Sequence, residues 1–329
     1  MSRQISKEKD MKNMKMKKVI IAFVASLGLV WVTNPGSVLA NGANGVRDQN
    51  TTASPVQGVA VPEFVHFTSS QHVANGVALR NRVSGTIHLR GVPAGRSVRA
   101  AYLYWNFSDA SAVGAATAPA LFNGNAVSGT KTADNTDPCW GRAGNHTYRA
   151  NVTRFMTAAN PNQDYQVVTV ISGSTSGENP WLSTPPGTIQ EGATLVVVFG
   201  SGGASTAVVI YDALSGTEFS SSLSLTLTHP ISLSGTGLYT MSGADGQRGT
   251  SGYDNAASNE TGFFNGAQTS GPPVAASDWD GAAGLPLVQL WDVHTHIVRY
   301  APTSSTVEYT AETGDCLVPV VFVLQATTP

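Results

Sequence analysis

The sequence predicts an all-β protein of the β-sandwich or jelly-roll type, built as one sandwich or as two packed sandwich halves. Three observations predict it. From Val59 onward, short runs of β-branched and aromatic residues alternate with clusters of Gly, Pro, Asn and Asp at similar spacing. The 329 residues include 34 Gly and 17 Pro, and only 12% are charged against a usual figure of about 25%. Beyond residue 40, no window of 12 or more residues carries a convincing helical period.

The first forty residues form a separate element. Arg3, Lys7, Lys9, Lys12, Lys15, Lys17 and Lys18 precede an apolar run of 14 residues, Val19 to Val32. Asn34-Pro35-Gly36 then breaks the run before the small residues Val38 and Ala40. Basic, apolar and small regions in that order make a Sec-type signal peptide, with cleavage expected after Ala40. The apolar run is short of the roughly 20 residues that anchor a helix in a bilayer. The expectation is a secreted, extracellular protein with no membrane span after cleavage. Residues 41–58 are polar, rich in Gly and Asn and aperiodic, which predicts a flexible extension. The β-sandwich domain is expected over 59–329.

Within that domain, Val83–Arg90 alternates apolar and polar positions, and Gly91–Gly95 turns the chain. Ser97–Phe107 has apolar residues on both faces, as a central strand between two layers requires. Further strands are expected at 145–152, 164–171, 193–199, 207–211, 221–228, 237–241, 287–293, 297–300, 305–310 and 318–325. Leu223, Leu225 and Leu227 alternate with Ser and Thr, the pattern of a half-exposed strand. Val152–Ala159 is the one segment suited to a short helix. Gly200-Ser-Gly-Gly203 suits a hairpin or a linker, so a subdivision of the domain near 200–204 stays open. Residues 242–282 show no clear strand pattern and are expected as a long loop, the usual location of binding sites on a β scaffold.

Residues 1–40 hold seven of the 19 basic residues and two of the 21 acidic ones. The chain beyond Ala40 therefore carries 12 basic and 19 acidic groups, which argues against nucleic acid or anionic lipid as a partner. A cell-wall or other extracellular polymer or protein is the expected partner. Two cysteines, Cys139 and Cys316, most simply pair with each other outside the cell. A disulfide closing so long a loop contributes on the order of 5 kcal/mol by chain entropy. Lys131 is the one lysine beyond residue 40. Its polar neighbours suggest a solvated turn, so no Lys–Asn or Lys–Asp isopeptide crosslink is expected.

The motifs that carry chemistry are weak. The nearest approach to a nucleophile elbow, Gly173-Ser-Thr-Ser-Gly177, centres on Thr175 and lacks a following helix. Gly200-Ser-Gly-Gly203 lacks the Lys-Ser/Thr ending of a phosphate-binding loop. Asp292, His294 and His296 share a strand face and could bind zinc, yet with Val293 and Ile297 as the buried side they are expected as a solvated stripe. Asp278-Trp-Asp280-Gly281 begins like a calcium loop without completing one. With Asp134, Asp137 and Asp245 these residues are the candidate Ca²⁺ ligands. Ordinary Asx turns are the alternative, and no cofactor is required. Trp140, Trp181, Trp279, Phe263 and Phe264 lie in or beside expected loops. They either stack on sugars or plug the ends of the core.

Several segments together resemble a known family. They are Ala101-Tyr-Leu-Tyr-Trp105, Tyr148–Thr153, Glu191–Val198, Val209–Asp212, Ala244–Gln247, Asn265-Gly266 and Thr313–Cys316, in that order. The pattern resembles an uncharacterised family of secreted, β-rich bacterial and archaeal surface proteins, a domain of unknown function often fused to cell-wall anchoring or repeat domains. The resemblance covers roughly residues 75–325. It implies location and fold and brings no catalytic residues. Anchored members would carry a sorting signal, whereas this chain ends Gln-Ala-Thr-Thr-Pro329, and the internal Leu285-Pro-Leu-Val288 does not qualify. The functional expectation is a non-enzymatic protein of the cell surface or matrix with a structural or adhesive role. The alternative is a module resembling carbohydrate-binding domains, gripping glycan through loop aromatics with or without Ca²⁺. A polysaccharide hydrolase or lyase using loop carboxylates is a third reading, for which no carboxylate pair stands out.

Overall fold

The computed structural model describes residues 56–137, 140–156, 160–169, 187–246, 260–284, 290–311 and 316–329. Strands account for nearly all of the regular structure. The first six are β1 (Val56–Val61), β2 (Val65–Thr68), β3 (Ser70–Ala78), β4 (Ser84–His88), β5 (Val98–Asp109) and β6 (Thr117–Phe122). Next come β7 (Asn125–Asp137), β8 (Arg142–Asn151), β9 (Asp164–Thr169), β10 (Ile189–Gly200), β11 (Thr206–Asp212) and β12 (Ser222–Thr228). The remainder are β13 (Ser234–Ala244), β14 (Thr261–Phe264), β15 (Ala267–Ser270), β16 (Trp291–Arg299), β17 (Ser304–Thr310) and β18 (Val318–Thr327). Among the described residues, no helix is long and apolar enough to cross a membrane.

The strands form three sheets. An eight-stranded sheet runs β3-β10-β5-β8-β7-β6-β9-β4. A five-stranded sheet runs β16-β13-β18-β11-β2, and another runs β1-β12-β17-β14-β15. All pairings are antiparallel except β1 with β12.

The large sheet encloses its own core, in which Leu79, Ile87, Leu103, Trp105, Tyr165 and Leu195 meet. The two smaller sheets face each other across a second core that includes Tyr211, Leu225, Met241, Trp279, Tyr309 and Phe322. Between these two halves lies a third apolar layer, where Tyr104, Val196 and Val198 meet Val208, Ile210, Trp291 and Val323. Strands β5, β10, β11 and β18 therefore bury both faces. On β5, Ala101, Leu103 and Trp105 enter the first core while Ala100, Tyr102 and Tyr104 enter the junction. On β11, Ala207, Val209 and Tyr211 enter the second core and Val208 and Ile210 the junction. Strands β10 and β18 divide in the same way, which accounts for their nearly unbroken apolar sequences.

Several elements depart from expectation, each for a local reason. β1 begins at Val56, inside the segment expected to be an extension, because it pairs in parallel with β12. Two Asn-Gly turns build hairpins that hydropathy did not reveal. Asn123-Gly124 (φ 46° and 74°) joins β6 to β7, and Asn265-Gly266 (φ 50° and 76°) joins β14 to β15. Two successive left-handed residues match the twist of the flanking strands. The strands around them are polar, so alternation is faint. The second hairpin lies within 242–282, which is therefore not one long loop. In the segment suited to a helix, only a 3-10 turn, Thr153–Phe155, forms among the described residues. The strands expected at 287–293 and 297–300 are one, β16, as far as the described residues reach. Lys131 lies within β7 rather than in a turn.

Candidate functional site

At one end of the junction, four strand ends bring ionisable side chains into the interior. Arg80 follows β3, Asp137 closes β7, Glu191 sits near the start of β10 and Asp245 follows β13. Local irregularity aims each of them. Glu191 is the extra residue of a bulge between Gln190 and Gly192, and Asp137 follows another between Asn135 and Asp137. Asp245 takes a left-handed backbone (φ 72°), and its N–H donates to the Leu290 carbonyl at 2.9 Å.

All four side chains are at most 2% exposed. The Arg80 guanidinium pairs with Glu191 Oε2 and lies 3.1 Å from Asp245 Oδ1. It also stacks over the Trp140 ring, 4.2 Å from its centroid. Trp140 Nε1 donates to the same Asp245 Oδ1 at 2.9 Å, and the Trp140 backbone N–H donates to Asp137 Oδ1 at 3.2 Å. The opposite oxygens, Asp137 Oδ2, Glu191 Oε1 and Asp245 Oδ2, have no partner, nor has Arg80 Nη1. Burial pushes the Glu191 carboxyl up to about 7 against the pull of Arg80. Burial likewise raises Asp137 and Asp245, Asp245 with the help of its acidic neighbours.

A second network corrects the expected solvated stripe on β16. Asp292 is fully buried and Ile297 is 78% exposed, while Trp291 and Val293 pack on the junction layer, so the polar face expected in solvent is buried and only the far end of the expected apolar face is exposed. The polar face turns inward because the segment Asp278–Ala282 folds over it. Asp292 Oδ1 accepts backbone N–H groups of Asp280 (3.0 Å) and Gly281 (2.7 Å). His294 Nε2 lies 3.4 Å from both Asp280 Oδ1 and Asp292 Oδ1. His296 Nε2 lies 2.5 Å from Asp278 Oδ1, while Tyr309 donates to Asp278 Oδ2 at 2.8 Å. Asp278 thus has both oxygens engaged, and Asp278–Gly281 straps over the polar face of β16.

Asp280, Asp292 and His294 could also hold a metal ion by proximity. Burial disfavours the His294 cation, but hydrogen bonds to Asp280 and Asp292 outweigh it and raise His294 to about 10. Gly246 closes the space beside the free Asp292 oxygen, since a Cβ on it would lie 2.0 Å from Asp292 Oδ2.

The remaining candidates separate. Asp134 pairs with Lys131 Nζ at 2.5 Å and with His146 Nδ1 at 2.7 Å, away from Asp137. Trp140, Trp279 and Phe264 are at most 4% exposed and offer no face for a sugar. Trp279 packs edge-on against Phe219 and Tyr309 at 5.6 Å from each. Trp279 and Phe264 belong to the second core, and Trp140 to the small cluster with Ile189 and Leu290. Phe263 is partly exposed, and Trp181 lies outside the described residues, as does Cys139. Cys316 is buried in a small cluster with Trp140, Ile189 and Leu290. Arg80 and Glu191 escaped the sequence reading, and the faint signal for Glu191 was a charged residue opening an apolar strand.

No protein-family model matches the chain, and no curated protein matches it. Solved structures give distant matches. A recombinant peptide:N-glycanase F is 12% identical, with 79% of this chain and 96% of that one covered and a TM-score of 0.26. The same enzyme from Flavobacterium meningosepticum, described as a glycosylasparaginase, is 14% identical over 80% and 96%, at 0.25. A β-porphyranase of glycoside hydrolase family 86 from Bacteroides plebeius is 12% identical over 79% and 35%, at 0.24. Superpositions this loose carry no argument about function.

Proposed function

We propose that this chain is an exported, non-enzymatic β-sandwich protein of the cell surface or extracellular matrix, with a structural or adhesive role. One observation carries the reading: among the described residues, most of the acidic and aromatic candidates for chemistry or glycan stacking are buried inside the fold. Asp278, Asp292, Trp140 and Trp279 are buried, and each carboxylate meets an arginine, a histidine, a tyrosine or backbone N–H groups. A surface cleft lined by Val92, Pro93, Arg96, Ser97, Asn160 and Asn162 has Arg96 as its one charged residue, which is no acid–base pair. The basic and apolar leader and the acidic balance of the rest support export and a partner other than nucleic acid. Burial of Cys316 against Trp140, the residue after Cys139, supports a Cys139–Cys316 disulfide.

The test combines location with activity. Protease shaving of intact producing cells should release peptides of residues 41–329. The purified protein should give flat responses on a glycan array, with and without chelator, and no turnover of polysaccharides, esters or proteins. Glycan binding or turnover abolished by a point mutation would overturn the reading.

A further inference from the structure

We infer that Asp137, Glu191 and Asp245 form a calcium site that joins the two halves of the molecule. Asp137 and Glu191 belong to the eight-stranded sheet, whereas Asp245 follows β13 of the facing sheet. One oxygen from each lies within 4.8 Å of the others, the span of two Ca–O bonds of about 2.4 Å. Each carboxylate divides its labour in the same way. One oxygen accepts from Arg80 or Trp140, and the other is buried and unpartnered.

An orphaned buried carboxylate oxygen is costly, and three converging carboxylates that each hold one call for a common partner. The charge agrees. Three carboxylates meet one fully buried guanidinium, Arg80, with Arg142 at the edge, where its Nε donates to the Gly187 carbonyl at 2.7 Å. A cation offsets the excess. The donors are all oxygen, which selects a hard ion over zinc or copper. Enclosure beneath Trp140 suits Ca²⁺, which accepts protein ligands throughout, better than Mg²⁺, which retains several waters. The Asp280–Asp292–His294 cluster differs because it includes a nitrogen donor and because Asp292 Oδ1 already accepts the backbone N–H groups of Asp280 and Gly281. These contacts point to the ion wherever the protein resides.

Calorimetric titration of the chelator-treated full-length protein with CaCl₂ tests it. We expect one ion per chain, with Kd at or below about 10⁻³ M, and a higher Tm with Ca²⁺ than with Mg²⁺. Glu191→Gln and Asp245→Asn should each weaken binding by at least about 10-fold to 100-fold, the loss that even outer partners of a ligand bring. Asp280→Asn should bind like the parent. Terbium should bind at the same site and emit through the adjacent Trp140, and Trp140→Phe should lose that emission. Should the ligand variants fail to fold, the parent protein still decides. Absence of both heat and a Tm shift at about 10 mM Ca²⁺, ten times the weakest expected Kd, would overturn the inference. Unaltered binding in folded Glu191→Gln, loss of binding in Asp280→Asn, or preference for Mg²⁺ would do the same.

Discussion

His72, on β3, shows how single residues hold the junction together. Its Nδ1 donates to Gln325 Oε1 at 3.0 Å on β18, and its Nε2 accepts from Thr240 at 2.8 Å on β13. Both ring nitrogens are satisfied in the neutral form, and burial lowers its pKa from 6.5 to about 4. A depressed histidine contributes stability that is present above pH 6.5 and is lost as pH falls toward 4, because the unfolded chain takes up the proton first. The loss should reach at most about 3 kcal/mol, as 2.5 pKa units imply. Urea unfolding between pH 7.5 and 4 should show a steep decline in the parent and a shallower one in His72→Gln; equal slopes would refute the assignment. Lys131 makes a second case. Its Nζ lies 2.5 Å from Asp134 Oδ2 and donates to the Gly114 carbonyl at 2.7 Å. Burial opposes ionisation of Asp134, but Lys131, Gly114 and His146 outweigh it and hold the carboxyl below its ordinary range. An ionised carboxylate resists attack by an amine, so intact mass should show no loss of about 17 or 18 Da, the signature of an isopeptide bond.

At the level of elements, glycines on two neighbouring strands make room for Trp291 of β16. A Cβ on Gly192 of β10 would sit 2.3 Å from the indole, and one on Gly76 of β3 would sit 2.8 Å from its Nε1. The indole donates to Thr194 at 3.0 Å, which fixes its depth. Gly192→Ala should therefore destabilise by about 1–3 kcal/mol through overpacking, although alanine is at least as good as glycine in an extended strand. Chemical denaturation would measure it, and a stability equal to the parent would mean the indole can move. The alternation of β12 shows the reverse situation. Leu223, Leu225 and Leu227 are buried and Ser222, Ser224 and Thr226 only partly so, as their sequence implied.

On the scale of the whole molecule, two cores share a junction layer, so the halves should unfold together. Polar ties reinforce the layer: Tyr104 donates to Asp212 at 2.8 Å, and Thr194 meets Ser242 at 2.7 Å. A Cys139–Cys316 bridge would close the same end of the junction as the Arg80 cluster, since Cys316 packs on Trp140 and Trp140 bonds Asp245. Non-reducing peptide mapping should recover the two cysteine peptides joined, and reduction should lower Tm by an amount matching about 2–5 kcal/mol. Two alkylatable thiols in the exported protein would end that expectation.

Local pattern alone determined the all-β class, the central position of β5 and the one-sided β12. Each of these depends on neighbours within a few residues. Alternation reports burial of a strand without saying which partner buries it. For that reason β16 was legible as a strand while its inward polar face was not: the segment 278–282 that covers Asp292 lies 10–12 residues back along the chain, beyond what alternation within the strand reports. Asp137 and Asp245 were visible as acidic residues in turns, but nothing nearby in the chain joins them to Glu191 or Arg80. Their convergence is a property of four strand ends meeting across the junction. Only the tertiary structure decided it, because desolvation and charge pairing act through space and not along the chain.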